Sequence, residues 1–378
     1  MFLDKIEGSP TLELVNLVLN KQAKGERVLS LAIGEPSFNT PKEIVEEAYR
    51  AMLSGDVHYT SSYGTFEVRE AIVRKVKRKN GINAEIKNTI FITTKLAVYA
   101  AMMAVHQAHY EILLPNPGYF YSEPAILSGA TPVYYNLKED FSLDLDEIKS
   151  KITQRTKAIV VNSPSNPTGK VYTKRELEQL YEICSENGIY IISDEAYEDL
   201  VYDTQHFSIG SLEKEPMFVI SLFSLSKSYA MTGWRAGYII ANERIINLVN
   251  KLLENTLTCF PPFIQHASAY ALDHGDKFIQ IFRDELRKRR KLMMEKIEEI
   301  RQFSATMPDG AFYVFPRYKT RIKSFELAHK ILEKAGVATL PGSSFGSAGE
   351  GHLRLSYASS EETIIEAMDK IKKFFLEF

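Results

Sequence analysis

The sequence predicts an α/β fold: a large domain with a mostly parallel, doubly wound sheet flanked by helices, plus a smaller α+β domain built from both termini. Three observations carry that expectation. Between about residues 40 and 245, short β-branched and aromatic runs, apolar on both faces, alternate with helical patterns, as strands covered on both sides by helices require. The intervening helices carry start and stop signals. Past residue 245 the alternation gives way to long helical stretches and then isolated short strands.

In chain order the runs are TIFIT at 89–93, EILLP at 111–115, PVYYN at 132–136, AIVVN at 158–162, GIYIISD at 188–194, MFVISLF at 217–223 and GYIIAN at 237–242. Each is short for a helix and rich in residues that pack on a pleated surface. Before the fifth run, Thr173 and Glu176 make a capping box for a helix that runs to Asn187, and Gly188 stops it. Further helices are expected at 243–256 and from 263 to about 301, and short strands at 310–316 and 352–357. A second capping box, Ser359 to Glu362, opens a last amphipathic helix. Residues 1–40 hold no strand of the first sheet. The expected division is therefore 1–40, an N-terminal segment packing with the small domain; 41–285, the large domain; and 286–378, the small domain.

Bulk properties narrow the function. A chain of 378 residues suits two domains or one large one. Its 45% hydrophobic and 25% charged composition is that of a soluble globular protein. A formal net charge of −2 asks for neither nucleic acid nor a membrane as partner. Cys184 and Cys259 have no metal-ligand spacing, and the expected location is the reducing cytoplasm. The opening MFLDKIEGSP has no apolar core of signal-peptide length, and no apolar run reaches the ~18 residues that span a bilayer.

Three strong strands end in polar groups. Asn162 leads into SPSNPTG, with Asn166. Asp194 leads into EAYED, with Tyr197. Ser224 leads into LSKSYAMTGWR, with Lys227 and Arg235. In open α/β sheets, ligands bind beyond the carboxyl ends of strands. If these strands are neighbours, an amide, a carboxylate, a phenol, an amine and an anion site share one crevice. Pyridoxal 5′-phosphate needs that set: an amine for its aldehyde, a carboxylate for its ring nitrogen, donors for its 3′-oxygen, and arginine and serine for its phosphate.

Seven motifs then carry a resemblance. They are AIGEPS at 32–37, YTSSYGT at 59–65, SPSNPTGK at 163–170, SDEAYE at 193–198, SLSKSYAMTGWRA at 224–236, PDGAFYVFP at 308–316 and LPGSSFGS at 340–347. In that order, over nearly the whole chain, they resemble the class I/II aminotransferases, the fold-type I pyridoxal-phosphate enzymes related to aspartate aminotransferase. The resemblance implies an enzyme that moves an amino group between an L-amino acid and a 2-oxo acid, with glutamate and 2-oxoglutarate as the usual second pair. It implies that the large domain binds the cofactor, that Lys227 forms its Schiff base and shuttles the proton, and that Asp194 holds the ring nitrogen protonated. Tyr197 and Asn166 would donate to the 3′-oxygen, Asn166 lying near the substrate too. Tyr119 would stack on the ring, and Ser224 and Arg235 would hold the phosphate. By the same resemblance Arg354 grips the substrate carboxylate and Gly34 lies in the loop closing over it. Tyr59 would reach the phosphate of a neighbouring subunit, which implies a homodimer with shared active sites.

One segment departs from the family pattern. Where a glycine-rich turn is usual, this chain has TTKLA at 93–97. Thr94 and Lys95 are carried over as phosphate contacts, with helix N–H groups supplying the rest. Other motif readings fail. NPTGK at 166–170 lacks the P-loop's first glycine and its final Ser or Thr. The basic run RKRRK at 287–291 lies beside Glu285 and Glu295 and reads as a solvated helix face. The histidines have no ligand spacing, so no metal is expected.

The amino donor is less legible. In one aspartate-preferring subgroup of the family a lysine follows the phosphate turn, and spacing puts apolar Met103 there. The aromatic segment TCFPPF at 258–263 is a candidate pocket wall or dimer contact. Aspartate, alanine and aromatic or hydrophobic donors stay open, with a lean toward the last. The alternatives are a lyase or synthase on the same fold and, more remotely, a non-catalytic cofactor-binding regulator.

Overall fold

The computed structural model describes residues 10–377 together with Asp4, Ile6 and Gly8. Most of the opening stretch read for a leader lies outside the described residues.

A seven-stranded sheet forms the centre. After a short strand β1 (Leu29–Ser30), its members are β2 (Thr89–Phe91), β3 (Glu111–Asn116), β4 (Thr131–Asn136), β5 (Thr156–Asn162), β6 (Tyr190–Asp194), β7 (Val219–Ser224) and β8 (Gly237–Ile240). Their order across the sheet is β2-β8-β7-β6-β5-β3-β4. β8 runs opposite to the other six, antiparallel to β2 and β7 on either side of it. All seven apolar runs are therefore strands of one mostly parallel α/β sheet.

Alternation along the strands loads two cores. Ile112, Leu114, Val160, Ile192 and Leu222 face one layer of helices. Leu113, Ile159, Val161, Ile191 and Val219 face the other. Full burial of each such side chain is worth about 1.5–3 kcal/mol. That is why the runs read as apolar on both faces.

Helices α1 (Pro10–Ala23), α2 (Lys42–Leu53), α3 (Phe66–Lys75) and α4 (Thr94–Ala104) precede β3. The capping box forms at Thr173, with Glu176 answering its backbone. The last helix, Glu361–Leu376, is instead capped by Ser360, one residue later than expected, through Thr363 N.

The stretch expected as one helix from 263 is two, Pro262–His274 and Asp276–Glu298. Gly275 stands at the break, where the chain has no room for a side chain. A Cβ would come within 2.3 Å of Ala271 O and 2.4 Å of the Tyr229 ring. The second helix runs unbroken past residue 285, and its later turns pack in a separate core with Tyr313, Leu355 and Phe374. There β1 pairs with Val337–Ala338, so the N-terminal segment joins a sheet with the C-terminal part.

The basic run at 287–291 is not uniformly solvated. Arg289 and Arg290 are buried. Arg289 donates to Ser37 Oγ and to the carbonyls of Ala358 and Ser359. Arg290 pairs with Asp203 and donates to Pro308 O. Segments distant in sequence cover that helix face, and the two guanidiniums satisfy their carbonyls. Among the described residues, no helix is long and apolar enough to cross a membrane.

Candidate active site

The cleft forms at the carboxyl edge of the sheet. Asn162 and Asp194 end neighbouring strands opposite one another. Asn162 Nδ2 donates to Asp194 O at 2.9 Å, and its Oδ1 accepts from Asn166 N at 2.7 Å. One amide thus ties the turn after β5 to the end of β6. The Asp194 carboxylate accepts from Ala196 N at 3.1 Å and from the Tyr121 hydroxyl at 2.8 Å. Burial raises its pKa, and these two hydrogen bonds oppose that rise. The Tyr197 and Tyr313 hydroxyls share a hydrogen bond of 2.8 Å.

Beyond β7, Ser224 Oγ accepts from Ser226 N at 3.2 Å, which starts the single turn Leu225–Ser228. That turn delivers Lys227 to the cleft, where Nζ donates to Gly34 O at 2.7 Å. Burial lowers the Lys227 ammonium to about 8; nearby Arg354 and Arg235 act in the same direction, while Glu35 and Asp194 oppose it. Gly34 must be glycine in this conformation, since a Cβ would stand 2.2 Å from the Tyr313 hydroxyl.

A candidate anion site lies at the N-terminus of α4. Arg235, in the left-handed region at φ 60°, donates to Thr232 O at 2.6 Å and to Thr93 Oγ1 at 3.0 Å. Thr93 is the N-cap of α4. A guanidinium therefore stands where the helix already presents free N–H groups and positive potential. Thr94 adds less than its hydroxyl suggests, because that hydroxyl donates to Phe223 O at 3.1 Å. What it can offer an anion is its backbone N–H.

Arg354 is the largest fully buried side chain. Nη1 donates to Asn166 Oδ1 at 3.0 Å and Nη2 to Ala32 O. The guanidinium lies 4.3 Å from the Tyr313 ring centroid and 5.2 Å from that of Phe345. Its Nε has no partner among the described residues. A buried, unmet donor fits a planar anion such as a carboxylate.

These groups surround a cavity of about 250 Å³. Every residue named from the sequence as a cofactor or substrate contact lines it except Tyr59, which is 87% exposed. Lys95 stands exposed at the rim, and burial pushes the Tyr119 phenol up to about 12. Tyr121 and Tyr313 are not among the residues that the sequence singles out, whereas Asn162 is one of its polar strand ends. Tyr313 lies inside the motif at 308–316 and so had a signal. The segment 258–263 does not line the cavity; Phe260 packs edge-on against Phe91 in the core instead.

The chain matches the family model described as aminotransferase class I and II over residues 26–371. It is 38% identical to aromatic-amino-acid aminotransferase 2 of Thermococcus litoralis, over 98% of each chain. It is 40% identical to an aspartate aminotransferase of Pyrococcus abyssi, over 93% of this chain and 92% of that one. The solved aspartate aminotransferase of Thermus thermophilus with maleate superposes with a TM-score of 0.94, at 33% identity and 98% coverage of both chains.

Proposed function

The chain belongs to the class I and II aminotransferases, and on that premise we propose that it works with pyridoxal 5′-phosphate in the cleft around Lys227. One observation carries this reading. A lysine whose ammonium is lowered to about 8 and a buried, twice-bonded carboxylate face one cavity that also holds a helix N-terminus with an arginine.

The donor set suits that cofactor. Arg235, the first-turn N–H groups of α4 and Ser224 would hold its phosphate. Ser224 Oγ accepts from Ser226 N, so its own hydrogen can be donated. Asp194 would pair with the ring nitrogen and Tyr119 would cover a ring face. Asn166 gives its carbonyl oxygen to Arg354, and its NH₂ would donate to the 3′-oxygen. Tyr197 would donate to the same oxygen while accepting from Tyr313. When bound, the cofactor supplies an aldehyde for amines and a cationic ring that accepts electrons from the substrate Cα.

The chain's own residues do the rest. Lys227 Nζ, held partly neutral by burial, is the base positioned to take the Cα proton of the amino acid and return it. Arg354 orients the substrate through its α-carboxylate, and the rings of Tyr313 and Phe345 beside it shield its planar fork from water. The hydrogen bonds from Tyr121 and Ala196 favour the ionised, accepting form of Asp194 against the effect of burial.

The proposed donor range favours apolar and aromatic amino acids, with glutamate and 2-oxoglutarate as the second pair. Val98, Tyr119 and Tyr313 give the cavity apolar and aromatic wall, and the further cation, Lys95, is exposed. A homodimer with shared sites is part of the proposal, as are a division into a segment 1–40 and domains 41–285 and 286–378. The unpaired thiols of Cys184 and Cys259 suit a cytoplasmic location. The test is a visible spectrum of the protein loaded with pyridoxal phosphate, taken before and after single amino acids. Conversion by hydrophobic or aromatic amino acids and by glutamate is expected. A bound cofactor that no amino acid converts would refute the reading.

A further inference from the structure

Helix α3 loosens after Lys75 into a π-helical turn, Val76–Asn80, closed by Gly81 in the left-handed region. Such turns are rare and recur near functional sites. In a regular α-helix, residues five apart point in different directions. The wider turn brings Lys75 and Asn80 together, with Lys75 Nζ donating to Asn80 Oδ1 at 3.0 Å.

Both residues reach one carboxylate. Lys75 Nζ pairs with Glu198 Oε1, and Asn80 Nδ2 donates to Glu198 Oε2 at 2.5 Å. Asn80 also donates to Ser208 Oγ at 2.7 Å, and Ser208 in turn donates to Glu195 Oε2 at 2.5 Å. His206 Nε2 lies 2.9 Å from that oxygen, and Ser193 Oγ donates to Glu195 Oε1 at 3.0 Å. Glu195 follows Asp194, and Glu198 follows Tyr197. The segment bearing the ring-nitrogen partner and the phenol is therefore gripped from behind at both ends.

The same ammonium touches the other half of the cleft. Lys75 Nζ sits 4.6 Å from the centroid of the Phe223 ring, and Phe223 immediately precedes Ser224. Lys75 is only 1% exposed. An apolar pair would fill that space without the desolvation cost of buried charges. An ion pair with fixed hydrogen-bond directions adds geometry that apolar packing does not.

We propose that Lys75, with Asn80, is a positioning residue for amino-group transfer: through Glu198 it sets the segment of Asp194 and Tyr197 against the strand that delivers Ser224 and Lys227. This rests on the reading of those four residues given above. Lys75→Met alone strands a buried carboxylate, so the informative variant is Lys75→Met combined with Glu198→Gln, in which the pair is neutral. Asn80→Ala is its companion, since it leaves the ion pair in place.

Both variants are loaded with pyridoxal phosphate and compared with the unaltered protein. The double variant is expected to keep its cofactor and lose about tenfold or more in kcat, since small misplacements of reacting groups carry such costs. KM for the amino acid should change by less than about threefold, because Arg354 is untouched. The visible circular dichroism of the bound cofactor and the pH at which its absorbance titrates should both move. Asn80→Ala should shift the same readouts by less, in the same direction. Unchanged kcat, dichroism and titration in whichever variant folds would overturn the proposal. An unaltered protein with no cofactor band would overturn the site reading and this proposal with it; a band present in all and unmoved overturns only the latter.

Discussion

The Tyr121 hydroxyl donates to Asp194 Oδ2 across 2.8 Å, with both residues buried. The bond favours the charged carboxylate, against the effect of burial. Tyr121→Phe removes that donor, so the Asp194 pKa should rise and a larger fraction should be protonated at mildly acid pH. A hydrogen bond to a charged group is worth about 1.5–3 kcal/mol, so kcat/KM at neutral pH should fall roughly 10- to 100-fold. The acid limb of the pH–rate profile should move to higher pH. A variant whose acid limb stays put would mean that Tyr121 only fills space.

Lys227 gives a second pH dependence. Its ammonium is lowered to about 8. Only the neutral amine attacks an aldehyde. Capture of pyridoxal phosphate by the cofactor-free protein should therefore accelerate about tenfold per pH unit below 8 and level off above it. Stopped-flow absorbance follows this directly, and a rate still climbing to pH 10 would mean that the lysine is solvated in solution. Lys227→Ala should abolish both the visible band and turnover.

Arg354 offers a test of carboxylate recognition. Its two Nη groups are spent partly on Asn166 and Ala32, its Nε is unpartnered among the described residues, and Tyr313 lies against its face. Lysine keeps the charge but loses the fork and the stacking surface. Arg354→Lys should raise KM for every amino acid by about 100-fold while the cofactor stays bound, since a lost charged contact of this kind costs a few kcal/mol. Weakened cofactor retention with an unchanged KM would assign Arg354 to the wrong ligand.

What could be read in advance follows from distance along the chain. Asp194 and Lys227 were legible because each chemical group sits at the end of its own apolar run, where strand and ligand group are local. Tyr121 and Tyr313 were not. Their hydrogen-bond partners lie 73 and 116 positions away, and nothing local says that the phenols converge. Arg289 and Arg290 were misread for the same reason: helical periodicity cannot report that segments from both ends of the chain cover that face. The π-helical turn after Lys75 escaped too, because the carboxylate that Lys75 reaches lies 123 residues on.

Tyr59 tests the proposed dimer. It is 87% exposed and lines no part of its own cleft. Exposed Leu53, Val57 and Phe66 are near it in sequence. If Tyr59 serves a partner's site, two defective proteins should complement. A dimer of one Lys227→Ala subunit and one Tyr59→Ala subunit has one doubly damaged site. Its other site combines an intact Lys227 from one chain with an intact Tyr59 from the other. If Tyr59 instead serves its own chain, every site in that mixed dimer carries one lesion. Tyr59→Ala alone should retain pyridoxal phosphate poorly, and Lys227→Ala alone should be inactive. Unfolded together and refolded in equal amounts, they should recover up to about a quarter of normal activity, because random pairing makes half the dimers mixed and half of their sites whole. Activity no higher than the average of the two parents would place Tyr59 outside any shared site.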